Sequence, residues 1–272
     1  LPAQTHKKWI LLHSEKNSLE EEKYQQSGYF TCAYWWCAAV LARDWFRFAE
    51  HDTRLYYKQY NQKTFLIYNR EETGSRTYRK KISQFLQNNA SLREKCQVGS
   101  FRLEQASSDL SAEYNYYDIV NTDISVILET VFDHRIHLTE KTCRALATGH
   151  PFILANGPGS LEYLRQYGFK TFAPYINESY DLEIDNDKRL QMIMSEMDRL
   201  AKLSPTDKNL VVEKCRQIAV HNKKVFFGDN FFNMVINELK TNVMKAYKDG
   251  ACFIDVDMIK KRIIEKDTQQ TP

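Results

Sequence analysis

The segment Ile136–Phe172, IHLTEKTCRALATGHPFILANGPGSLEYLRQYGFKTF, decides the architecture. Thr139–Thr148 predicts a helix, with Thr139 as its N-cap and Gly149 as its stop. Pro151–Ala155 (PFILA) is a short apolar run that reads as a strand. Gly157-Pro158-Gly159 then turns the chain into a helix over Ser160–Tyr167, which Gly168 ends, and Lys170–Ala173 reads as one more short strand.

Working outward, Trp9–His13 (WILLH), Thr64–Tyr68 (TFLIY) and Asp123–Phe132, with its apolar core Ile124–Leu128, predict further strands. Tyr34–Glu50 predicts a helix with Trp35, Ala38, Ala39, Ala42 and Phe46 on one face, and Arg76–Asn88 another, with Tyr78, Ile82, Phe85 and Leu86 together. Beyond Asp187 the pattern is helical over Lys188–Lys202, Pro205–His221 and Asn230–Lys248. Strands alternating with helices predict a parallel α/β fold carrying a C-terminal helical extension. A boundary is placed near residue 105, giving an N-terminal unit 1–105 and a C-terminal unit 106–272. Ligands are expected outside the carboxyl ends of the strands.

Composition narrows the class. Of 272 residues, 43% are hydrophobic, which supplies a core and excludes a disordered chain. Lys and Arg number 38 against 35 Asp and Glu, so the +3 balance alone does not imply nucleic acid. No run approaches the roughly 20 apolar residues of a membrane helix. The opening residues, which start at Leu1 and so read as trimmed or processed, show no apolar signal run; a cytoplasmic location is expected. Six dispersed cysteines without a CxxC predict reduced thiols and no zinc site. His134 and His137 fall between predicted elements, and no metal is expected there.

Four polar clusters follow apolar strands: His13-Ser14-Glu15, Asn69-Arg70 with Arg76 and Arg79 behind it, Glu129, and Thr139-Glu140-Lys141. A helix start favours phosphate through its free N–H groups and partial positive charge. Lys141 adds a cation to that first turn, and Glu140, an acceptor at neutral pH, suits a ribose diol. The plain alternative is a helix cap with an acidic first turn. Arg70 stands at a strand end where a guanidinium fork can take a diphosphate, whereas Arg79 reads as part of a solvated helix face with Lys80 and Lys81. Gly157-Pro158-Gly159-Ser160 lacks the spacing of a nucleotide-binding glycine motif. The aromatic and basic stretch Tyr34–Lys63 suits base or sugar stacking, or else is helix core bordered by arginines.

The block from Thr139-Glu140-Lys141 through Pro151-Phe152, Pro158-Gly159-Ser160-Leu161 and Gly168-Phe169-Lys170-Thr171-Phe172 resembles the nucleotide-sugar-binding segment of GT-B-type glycosyltransferases. It is similar to α1,3-fucosyltransferase-like and bacteriophage-encoded members. The likeness extends to Asn177–Asp181, Phe65–Arg70 with Arg76, Ala42–Trp45 and Val126–Thr130. The resemblance implies two Rossmann-like domains across a cleft, a nucleotide-sugar co-substrate and no obligatory metal or other cofactor. It implies that Thr139, Glu140 and Lys141 bind the donor, Glu140 at the ribose and Lys141 at the diphosphate. Arg70, and with it Arg76, would neutralise the departing diphosphate, and Pro158-Gly159-Ser160 would shape the pocket wall. The chain is short for that fold, which implies a reduced N-terminal domain.

An inverting transfer needs a base for the acceptor hydroxyl. Glu15, His13, Asp44 and Glu129 are the candidates, with Glu15 and Asp44 preferred. The phage likeness suggests a hydroxymethylated base in duplex DNA as acceptor, gripped by Arg43, Arg47, Arg54, Lys58 and Lys63. A surface glycan is the competing acceptor, and a non-catalytic nucleotide-binding module the competing class.

Overall fold

The computed structural model describes residues 9–35, 37–56, 63–99 and 113–248, and the boundary expected near residue 105 lies outside them. Two parallel sheets organise the chain. The smaller pairs β1 (Ile10–His13) with β2 (Phe30–Ala33), joined by the charged helix α1 (Glu20–Gln26). The larger contains β3 (Lys63–Tyr68), β4 (Cys96–Gly99), β5 (Thr122–Leu128) and β6 (Phe152–Ala155) in the order β4-β3-β5-β6. This is a mixed α/β fold of Rossmann-like character. The four-stranded sheet draws its strands from both sides of residue 105.

All seven residues of β5 are buried, as expected of a central parallel strand covered on both faces. Helices α3 (Tyr78–Asn88) and α4 (Ala90–Glu94) carry the chain from β3 to β4, and α5 (Tyr116–Val120) leads into β5. Helix α6 (Glu140–Thr148) joins β5 to β6 and begins and ends as the sequence predicts. The Thr139 side chain accepts from the Lys141 amide, and Gly149 takes the left-handed conformation, φ 66°, that an L side chain rarely adopts. After β6 come α7 (Ser160–Gln166), α8 (Asn186–Ala201), α9 (Pro205–Phe227) and α10 (Asp229–Lys248), which together form the helical C-terminal part.

The stretch expected as one helix over 34–50 is wound differently. It comprises a π-helical turn, Cys37–Ala42, a three-residue helix α2 (Arg43–Trp45) and a 3-10 turn, Arg47–Ala49. Its apolar face is nonetheless the expected one: Trp35, Ala38, Ala39, Ala42 and Phe46 are all buried. Trp35 sits among Tyr163, Tyr167, Phe169 and Phe231 and donates its indole N–H to the Leu138 carbonyl at 3.0 Å. That contact ties the small sheet's exit to α7, α10 and the approach to α6. The strand expected over Lys170–Ala173 does not form. There the Asn222 side chain accepts from the Lys170 amide and donates to the Lys170 carbonyl, both at 2.8 Å, so a helix side chain stands in for a strand neighbour.

Candidate functional site at the strand-order reversal

After β3 the chain moves outward to β4, then returns across β3 to lay down β5 on the other side. The crevice between β3 and β5 at their carboxyl ends is therefore the point where strand order reverses, the usual ligand position in open parallel sheets. Leu66 pairs with Ser125 and Ile67 with Val126; continuing that register brings Arg70 level with Glu129. Arg70 is exposed and forms no ion pair with another described residue.

Arg79 fastens this crevice. One arm of its guanidinium donates to the Glu71 carbonyl at 3.0 Å and the other to the Leu128 and Glu129 carbonyls at 2.7 and 3.0 Å. It is buried, which corrects its reading as part of a solvated face. The ends of β3 and β5 carry free carbonyls where pairing stops, and a fork-shaped donor satisfies both at once. Tyr78 adds a bond from its hydroxyl to the Glu129 carbonyl at 2.7 Å.

The Glu129 carboxylate is fully buried beneath the start of α6. It accepts from the Thr139 amide at 2.9 Å, the Thr139 hydroxyl at 2.6 Å and the Thr142 hydroxyl at 2.7 Å. Its oxygens are committed and shielded from any acceptor, so it is a helix clasp and not the base considered from sequence. Lys141 Nζ lies 3.8 Å from that carboxylate and 2.9 Å from Glu140. Burial works to raise the Glu140 carboxyl, but the Lys141 ammonium outweighs it and holds the group below its ordinary range. Glu140 is thus an ionised acceptor at neutral pH. Behind Lys141, a crevice of about 30 Å³ reaches Tyr68 and Arg144, enough space for a water molecule.

The small sheet meets the same end of the large one. Lys16 and Ile136 exchange backbone hydrogen bonds at 2.9 and 3.0 Å, linking the end of β1 to the loop before α6. Glu15 is held by Arg135 at 2.9 Å, and its carboxylate stands 3.9 Å from His137 Nδ1. The other ring nitrogen of His137 is 3.2 Å from the Ser14 hydroxyl. At 3.9 Å the Glu15–His137 contact is electrostatic and no hydrogen bond, so Ser14, His137 and Glu15 do not form a nucleophilic triad. His137 precedes the N-cap Thr139 by two residues, which places Glu15 beside the start of α6. His13 points instead to Glu21, 3.8 Å away. Sequence reasoning missed the pairing of His137 with Ser14 and Glu15. The only signal was that His137 directly precedes the Leu138-Thr139-Glu140-Lys141 run.

Other expected residues lie elsewhere. Asp44 pairs with Arg47 at 3.0 Å on an exposed face, so the structure gives it a surface ion pair in place of the catalytic role expected from sequence. Arg43 donates to the Phe227 and Gly228 carbonyls at 2.7 and 3.0 Å and so caps the end of α9. The acceptor-binding reading of Arg43 and Arg47 is corrected on these grounds. Gly159 and Ser160 also change role. Asp181 accepts from the Leu161 amide at 3.1 Å, its carbonyl accepts from Gly159, and the Ser160 hydroxyl turns back to the Gly157 carbonyl. The chain's own carboxylate fills that helix start, so the turn is no phosphate cradle. Arg76 ends a 3-10 turn, Gly74–Arg76, soon after β3 and is half-buried.

No family model, curated protein or solved structure matches the chain. Among the described residues no group of three or more His, Cys, Asp or Glu side chains is arranged to hold a metal, and no helix is long and apolar enough to cross a membrane.

Proposed function

We propose that the chain is a glycosyltransferase that takes a sugar from a nucleotide diphosphate donor and passes it to a hydroxyl acceptor. The observation that carries this reading is the reversal of strand order between β3 and β5, with exposed Arg70 just after the end of β3 and Lys141 in the first turn of α6, the helix that follows β5. Glu140 takes the ribose hydroxyls and Lys141 the diphosphate. The two sheets are then the reduced acceptor side and the donor side of a GT-B-like arrangement.

In this reading His137 is the base, oriented by the Ser14 hydroxyl at 3.2 Å. The Ser14 hydroxyl takes the proton of the acceptor hydroxyl and passes its own to His137 Nε2 as the new bond to the sugar's anomeric carbon forms. The bond from that carbon to the diphosphate breaks, and its electron pair leaves on the phosphate oxygen. Arg70 and Lys141 receive the developing charge, the task a divalent cation performs elsewhere.

The acceptor fits a glycan hydroxyl better than duplex DNA. Of the five cations that would grip phosphates, Arg43 and Lys63 are tied to backbone carbonyls, Arg47 to Asp44 and Arg54 to Asp52. Lys58 lies outside the described residues. The test is calorimetric titration with UDP-, GDP- and CMP-sugars, followed by assay for released nucleoside diphosphate with a hydroxyl acceptor. Binding without turnover would favour a non-catalytic module, and no binding by any of the three would overturn the reading.

A further inference from the structure

At the amino ends of β5 and β6, the opposite end of the sheet from the proposed donor site, lies a second cavity of about 410 Å³. It opens between α9, the C-terminal turn of α6 and the 3-10 turn Thr53–Tyr56, and its volume falls in the range of small-molecule sites. Its walls are largely apolar, with Leu55, Val120, Pro151 and Val220 among them. Lys223 also lines it. That side chain is 4% exposed, and its ammonium has no hydrogen-bond acceptor among the described residues.

Two features explain why a cation is tolerated there. Lys223 packs on Gly149 at the negative end of the α6 dipole: a Cβ added at Gly149 would lie 3.5 Å from Lys223 Cβ and Cδ. The ammonium also stands 4.6 Å from the centre of the Tyr56 ring. Neither feature supplies an acceptor for its three donors, and a buried charge without one is costly. The neighbouring charges balance: Arg216 and Lys208 share Asp123 at 3.2 and 3.1 Å, and the Glu213 carboxylate, also in the cavity wall, acts on Arg216. His150 faces the cavity with both ring nitrogens engaged, by Ser125 and by the Thr122 carbonyl. The unmatched charge in the cavity is therefore the single positive charge of Lys223.

We propose that this cavity binds a small amphipathic monocarboxylate. Its carboxylate accepts from the Lys223 ammonium, and its hydrocarbon or aromatic body lies against Val120, Pro151 and Val220. One unmatched cation fits a monoanion, whereas a phosphate dianion would call for more donors than these walls present. The site stands apart from the proposed transferase centre and does not depend on it.

The probe is benzoate, titrated into the full chain and followed by amide chemical shifts, with benzyl alcohol as the uncharged analogue and inorganic phosphate as the alternative anion. Benzoate is expected to move the amides of Thr148–His150 and Gln217–Lys223 saturably, and benzyl alcohol is not. Lys223→Met keeps the length and apolar stem and should weaken benzoate about tenfold or more, equivalent to about 1.4 kcal/mol. Equal benzoate affinity in Lys223→Met, no shifts around Gly149, or a preference for phosphate would overturn the proposal. Should the variant not fold, the comparison of benzoate with benzyl alcohol on the unaltered chain decides alone: equal binding of the two removes the role of Lys223.

Discussion

Glu129 and Thr139 are joined twice, the carboxylate accepting from both the amide and the hydroxyl of the threonine at 2.9 and 2.6 Å. The pair locks the end of β5 to the start of α6, and so fixes where Lys141 stands. Glu129→Ala leaves the Thr139 and Thr142 donors buried without their acceptor, and the expected loss is about 3 kcal/mol of unfolding free energy. Glu129→Gln keeps one acceptor and should lose roughly half as much. Urea unfolding of both variants checks this, and an alanine variant as stable as the parent would refute the clasp.

Lys141→Ala should leave unfolding free energy within about 0.5 kcal/mol, because a half-exposed cation at a helix start contributes little stability. Donor affinity should fall at least tenfold, the effect of removing one charge-assisted contact to phosphate. Asp44→Ala is the matched control: an exposed pair at three-residue spacing is expected to change neither donor affinity nor turnover. If Asp44→Ala abolished turnover while Lys141→Ala retained it, the placement of the site would be inverted.

His150 gives the protein a defined acid sensitivity. Burial pushes its ring down to about 4 from an ordinary 6.5. The Thr122 carbonyl can only accept, so Nε2 carries the proton and Nδ1 accepts from Ser125. The folded ring binds its proton less readily than the unfolded one. Between pH 6.5 and about 4 the unfolded chain therefore holds more protons, and stability falls as pH falls through that window. The full extent is about 3 kcal/mol. His150→Gln should flatten the dependence of urea midpoint on pH there, and an unchanged slope would assign the acid sensitivity to other groups.

Cys32, Cys96 and Cys215 are buried, and burial pushes their thiols up to about 11, 12 and 12. A thiolate is the reacting species, so alkylation of these three at neutral pH should be slow in the folded chain and fast in urea. Peptide mapping after brief iodoacetamide treatment reads this directly. Rapid native labelling at Cys215 would contradict its burial.

Where the sequence carried a strong local signal, the fold was legible. The Thr139 cap and Gly149 stop are local chemistry, and both lie where the residues put them. The apolar face from Trp35 to Phe46 was readable as burial but not as winding, since the same stripe serves a π turn and an α-helix. β2 and β4 escaped because edge strands of mixed composition, such as Cys96-Gln97-Val98-Gly99 with Val98 half-exposed, lack the apolar run that marked β5. At the proposed site, the positions of Arg70 after a strand end and Lys141 in a helix's first turn were legible from local sequence. The long-range partners were not. Whether Arg79 bonds solvent or the Leu128 carbonyl, and whether Glu15 meets His137, depends on tertiary placement across 49 and more residues.

Gly157 provides the sharpest test of that placement. A Cβ there would meet the Arg135 carbonyl oxygen at 2.0 Å, far inside contact distance, and because that oxygen belongs to the backbone the loop itself must shift. Arg135 holds Glu15, and His137 follows two residues later, so the displaced segment is the one that carries the proposed base. Gly157→Ala should cost about 1–3 kcal/mol by overpacking and lower turnover much more than donor affinity, because Lys141 is anchored independently through Glu129. His137→Ala should reproduce the turnover loss, on the order of a hundredfold or more for a missing general base, without the stability loss. A Gly157→Ala variant that keeps full turnover while His137→Ala loses it would uncouple the turn from the base. If both variants kept full turnover, His137 would not be the base.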